Sequence, residues 1–136
     1  MFAFVLLTGA VLLLPRPASP PRGCTSLSAV EADTTISMYT TEPSPLLHAR
    51  STVGPRYPIA LRDQRVPGDV RATFVVDTLG RVIRGSSGIL EESDRAFGQS
   101  VCDYLRVAEF EPIVVAGKRL TVRVVGLRFQ FRTNGG

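Results

Sequence analysis

The chain has 136 residues, 44% hydrophobic and 21% charged, a composition that fits one globular domain with some extra chain and excludes a disordered, fibrous or polytopic membrane protein. Residues 53–136 hold thirteen Lys and Arg against nine Asp and Glu, while residues 1–52 hold three of each, so the net charge of +4 belongs to the C-terminal part. That balance permits acidic partners or membrane surfaces without naming one. Pro15, Pro17, Pro20, Pro21, Pro43, Pro45, Pro55 and Pro58 crowd the first sixty positions, which places the compact domain after them.

Phe2 to Leu14 is an uncharged run interrupted only by Thr8 and Gly9, and it ends at Pro15-Arg16-Pro17. As a helix it covers roughly 20 Å of a ~30 Å hydrocarbon core, the length of a secretory signal's apolar region. No basic residue precedes it and no good small-residue pair marks a cleavage site, so residues 1–14 read as either a signal peptide or an N-terminal anchor. Both readings export the domain. Gly23-Cys24 has the ending of a lipoprotein signal, but Pro21 and Arg22 stand where an aliphatic and a small residue belong.

Residues 15–52 read as a Pro/Ser/Thr-rich linker, since Leu27, Val30, Ile36, Met38, Leu46 and Leu47 keep no period and Glu42-Pro43-Ser44-Pro45 interrupts any helix. Cys24 and Cys102 are able to pair in an oxidising compartment. Because Cys24 lies in this tail, Cys102 is read instead as a small, partly buried helix residue. His48, the sole histidine, has no Cys, Asp or Glu at ligand spacing, so no metal site and no cofactor is expected.

The domain, residues 53–133, is read as α+β in the order helix-strand-strand-helix-strand. Pro58 sets the first turn of a short helix over 59–65, which Pro67-Gly68 stops. Residues 69–76 alternate, with Val70, Ala72, Phe74 and Val76 on one face. Asp77-Thr78-Leu79-Gly80 makes a turn, and residues 81–89 return as an antiparallel strand. Ser93 is the expected cap of a helix whose stripe is Phe97, Val101, Tyr104, Leu105 and Ala108, ended by Glu111-Pro112. After a turn at Gly117-Lys118, the last strand over 120–132 changes phase between Val122/Val124 and Val125/Leu127/Phe129/Phe131, which predicts a bulge near Gly126.

Five blocks in this order carry a resemblance: Pro55-Arg56-Tyr57-Pro58, Gly68-Asp69-Val70, Phe74-Val75-Val76-Asp77 with Gly80-Arg81-Val82, Phe110-Glu111-Pro112 before Gly117, and an aromatic-ended final strand. Together they resemble the TonB C-terminal domain family, with Pro55, Tyr57, Pro58, Gly68, Gly80, Phe110 and Pro112 at motif positions. The resemblance implies a three-stranded antiparallel sheet with two helices on one face, the first strand central and the last at an edge. It also implies that the edge strand pairs with an extended peptide, the TonB box, of an outer-membrane receptor, with energy drawn from inner-membrane proton-driven motor subunits.

An exposed edge strand offers unpaired N–H and C=O groups that an incoming strand satisfies. The candidate site is therefore Val122, Arg123, Val124, Val125, Gly126, Leu127, Arg128 and Phe129, with Gly54 to Pro58 next in line. Arg123, Arg128 and Arg132 give the edge a basic character that suits acidic peptides and equally deters aggregation. Ser86-Ser87-Gly88 has no histidine in the domain to act as base, so no enzymatic reading stands. The export segment argues against a nucleic-acid partner. The competing class is an envelope scaffold that keeps the fold for self-association, as in a homodimer, or cell-wall contact without transmitting force. Residues 15–55 reach at most about 140 Å when fully extended.

Overall fold

The computed structural model describes residues 19–27, 29, 38–41 and 47–134. The apolar run Phe2–Leu14, and with it the alternative of signal peptide or anchor, lies outside the described residues. Among the described residues no helix is long and apolar enough to cross a membrane. In chain order the elements are β1 (Met38–Thr41), α1 (Ile59–Asp63), β2 (Gly68–Val76), β3 (Gly88–Glu92), α2 (Arg95–Leu105), β4 (Val114–Val115), β5 (Lys118–Arg119) and β6 (Val122–Phe131). The main sheet has the order β1-β6-β2-β3, and β4 and β5 form a separate small hairpin.

β2 is the central strand, antiparallel to both β3 and β6. Its alternation sends Val70, Ala72, Phe74 and Val76 to one face, where all four are fully buried against Phe97, Val101 and Leu105 of α2. Phe110, Val124 and Phe131 complete that core, with the Phe74 and Phe110 rings stacked at 5.6 Å between centroids. The fold is thus the expected α+β arrangement, with β1 added as a fourth strand.

The turn after β2 forms as its residues dictate. Asp77 Oδ1 accepts the N–H groups of Leu79 and Arg81, both at 2.9 Å, and Gly80 N–H donates to the Asp77 carbonyl. The return strand differs from the expected continuous run over 81–89. It pairs at Val82, leaves the ladder, and resumes only at Gly88. The cause is Ser86, whose Oγ accepts from Val75 N–H at 3.0 Å and so takes the place of a backbone acceptor. Three helix ends also differ. α2 stops at Leu105 rather than at Glu111-Pro112 and leaves Ala108 outside it, because Glu109 and Phe110 bridge to Arg81 and Ala49 instead. Asp94, not Ser93, caps α2 by accepting from Ala96 N–H at 2.8 Å, whereas Ser93 extends the sheet by exchanging hydrogen bonds with Asp69. α1 ends at Asp63, two residues short of the expected end, because Arg65 takes a positive φ of 54°.

The phase change in the last strand is a bulge, as predicted. Ala72 faces Leu127 while Phe74 faces Val124, so β6 uses one residue more than β2 between these pairs. Gly126 sits in that extra length at φ 77°.

The segment read as a linker contacts the domain in three places. Cys24 and Cys102 form a disulfide, which overturns the reading of Cys102 as a free helix residue. The pairing comes from docking of residues 19–27: Thr25 N–H donates to Ser87 O at 2.7 Å, Arg22 N–H donates to Gln99 Oε1 at 2.8 Å, and Gln99 Nε2 donates back to Arg22 O. Farther along, His48–Arg50 pair with Glu109–Glu111 through Arg50 N–H to Glu109 O and Glu111 N–H to His48 O. The third contact is β1.

Glu92 carries a testable electrostatic feature. It lies over Gly98 of α2, where an added Cβ would fall 1.7 Å from its Oε2, and that oxygen is buried without a hydrogen bond among the described residues. Burial pushes the carboxyl above the ordinary Glu range; the Arg95 guanidinium opposes this and Asp94 adds to it. The folded state therefore binds this proton more tightly than the unfolded chain does. Its contribution is present at low pH and is lost as pH rises through the elevated pKa. Glu92→Gln is expected to flatten that decline in melting temperature, measured between about pH 4 and pH 7.

Candidate peptide-binding edge

β6 is positioned by its whole-length pairing with β2, from Gly68 opposite Phe131 to Val76 opposite Val122. Its other side is the edge of the expected site. Val122, Arg123, Val124 and Gly126 are buried, Val125, Leu127 and Phe129 are half-buried, and Arg128 is exposed. Over Val122–Val125 this side is taken by β1, which runs parallel to β6 with Met38 opposite Val122 and Thr41 opposite Val125. Among the described residues no strand pairs with that side from Gly126 to Phe131.

The basic residues are engaged within the domain. Arg128 Nε donates to Asp69 Oδ1 at 3.0 Å across the strand pair, Arg132 donates to Gln130 Oε1, and Arg123 is only 5% exposed. Arg71 on the same sheet face lies 3.8 Å from Glu91. The face away from the helices is therefore charged but locally neutralised.

The motif positions are chiefly structural. Tyr57 presents its ring edge to Phe97 at 5.7 Å and to Phe131 at 5.6 Å, and its hydroxyl donates to the Val66 carbonyl. Pro58 stands at the N-cap of α1, Gly68 lets the Phe97 ring lie over the start of β2, and Gly80 O accepts Phe110 N–H at 2.7 Å. Pro55 and Pro112 are half-buried at the ends of their segments. Gly54 to Pro58 borders a groove of about 590 Å³ against α2, with exposed Val53, Ile59 and Val107 at its rim. Tyr104 lines the groove and meets Phe129 edge-on at 6.0 Å, so the groove adjoins the open half of β6. Among the described residues no group of three or more His, Cys, Asp or Glu side chains could hold a metal ion.

Sequence reasoning missed β1, although the run Thr34-Thr35-Ile36-Ser37-Met38-Tyr39-Thr40-Thr41 is rich in β-branched residues and was the signal for it.

A family profile described as the Gram-negative bacterial TonB protein C-terminal matches residues 53–133. The chain belongs to the TonB C-terminal family. The solution NMR structure of the Pseudomonas aeruginosa TonB C-terminal domain is similar, with 21% identity and a TM-score of 0.56 over 71% of this chain and 96% of that one. The TonB2 protein of Vibrio anguillarum is also similar, with 20% identity and a TM-score of 0.50 over 68% of this chain and 86% of that one. No curated protein matches the sequence. At these identities the structures speak for the fold, and the family supplies the general role. TonB C-terminal domains are periplasmic, non-enzymatic interaction domains of energy transducers that meet outer-membrane receptors and inner-membrane motor proteins.

Proposed function

We propose that this domain binds an extended peptide, the TonB box of an outer-membrane transporter, by β-strand addition to β6, and so couples that transporter to an inner-membrane motor. Residues 53–133 form the binding domain, exported through or anchored by residues 1–14. The observation that carries the reading is that the outer side of β6 accepts a strand: β1 pairs with it over Val122–Val125. Backbone groups supply the affinity and the adjoining groove receives alternate side chains of the peptide.

The test uses proline. Adjacent residues in a strand send their N–H groups to opposite sides, so one of Leu127→Pro and Arg128→Pro breaks the pairing with β2 and the other removes an outward donor. The expected outcome is that the outward variant keeps its circular dichroism and loses calorimetric binding of a synthetic TonB-box peptide. Retained binding by the folded variant would move the site to the Gly54–Pro58 groove.

A second reading, an envelope scaffold that transmits no force, is favoured by the Cys24–Cys102 disulfide. With that bond closed, the chain between the apolar run and the docked domain is residues 15–23, at most about 30 Å long. Adjacent genes for motor subunits or a TonB-dependent receptor would favour transduction, and their absence the scaffold.

A further inference from the structure

We infer that β1 is an intramolecular competitor for the β6 edge, so that a partner peptide must displace the chain's own strand before it can pair along the whole site. This rests on the reading of β6 as the peptide site and concerns how that site is controlled.

The overlap is direct, because β1 pairs with Val122–Val125, the first half of the site. β1 is also held from both sides. Fourteen residues before Met38 the chain is fixed to α2 by the Cys24–Cys102 disulfide, and eight residues after Thr41 it is fixed again by the bridge between Ala49 and Phe110. A strand tethered at two such points meets the edge at an effective concentration in the millimolar range, which a free peptide reaches only if it binds well.

The composition of the segment fits the same edge. Its run from Thr34 to Thr41 holds five β-branched residues, so the chain carries a strand-forming sequence suited to pairing through backbone groups. The occupied and open states are alternative pairings of one set of N–H and C=O groups. Exchanging them costs little hydrogen-bond energy, and the balance is set by the tether and by the partner's concentration. The apparent affinity for a partner falls by the fraction of molecules whose edge is open. An edge occupied in roughly ninety to ninety-nine of every hundred molecules would weaken binding roughly ten- to a hundredfold.

The experiment compares the disulfide-closed full chain with a Tyr39→Pro/Thr40→Pro variant; the adjacent prolines remove whichever N–H of the pair donates to β6. Hydrogen exchange at Val122–Val125 reads occupation without any partner. The outward amides should exchange at least about tenfold faster in the variant while amides of β2 and α2 are unchanged. A synthetic peptide of residues 31–42 should bind the variant roughly ten- to a hundredfold more tightly than the parent. Unchanged exchange in a folded variant, or equal affinity of variant and parent for that peptide, overturns the inference. Faster exchange with tighter binding of the 31–42 peptide, but no binding of a transporter peptide to either protein, sustains self-occupation and sinks the transporter reading instead.

Discussion

Phe74→Ala is expected to abolish, or nearly abolish, the cooperative unfolding transition. Phe74 is fully buried in the central strand, stacked on Phe110 and packed in one cluster with Phe97, Val101 and Leu105. Truncating such a ring costs ~3–5 kcal/mol, set against the ~5–15 kcal/mol stability of a typical domain. The loss also spreads along the chain. Phe110 loses its stacking partner, and Phe110 N–H is the group that ties the crossover after α2 to the carbonyl of Gly80 in the first turn. A thermal melt by circular dichroism checks this; a midpoint equal to the parent's would mean that the core is built on another face.

The second large effect comes from the disulfide. Cys24 and Cys102 close a loop across 78 positions, and loop-closure entropy gives a bond of that span about 4 kcal/mol of stabilisation. Cys24→Ser/Cys102→Ser, or reduction of the parent, is therefore expected to lower the urea midpoint by the equivalent of that energy. The core of residues 53–133 should remain folded, because no core contact of β2 with α2 runs through residue 24. The same variant frees the segment Ser19–Leu27, so proteolysis there should accelerate. Equal midpoints with and without reductant, together with two titratable thiols in the native protein, would show that the bond is not formed.

Phe74 and the Cys24–Cys102 pair mark the limits of what the sequence makes legible. Phe74 was legible because a half-buried strand writes its burial as a period of two, and Phe97, Val101 and Leu105 were legible because a buried helix face writes one near 3.6. The bulge at Gly126 was legible for the same reason, since a phase slip between Val124 and Leu127 has no other economical solution in a strand. Contacts without a period were not legible. Ser86 interrupts the second strand by lending one hydroxyl to Val75, and no neighbouring residue announces it. The pairing of Cys24 with Cys102 depends on residues 19–27 docking through Arg22, Gln99 and Thr25, a tertiary event invisible in local composition.

The candidate site divides the same way. Its location on β6 followed from topology, since a crossover helix that returns the chain beside β2 leaves the last strand with one outer side. The expected basic character did not survive as free charge, because Asp69 sits across from Arg128 at ion-pair distance. β1 escaped notice because four residues paired on one side need no alternation, and Glu42-Pro43-Ser44-Pro45 directly after them suggested plain linker.

The central claim is that an extended peptide adds to β6 as a strand, and residue-resolved amide mapping during titration with a TonB-box peptide tests it most directly. The account predicts that the largest shifts and the greatest gain in exchange protection fall on the outward amides between Val122 and Phe131, beginning at Gly126–Phe131 and extending to Val122–Val125 as β1 leaves. Shifts confined to Val53–Ile59 and α2, with the amides of β6 unmoved at saturation, would contradict it.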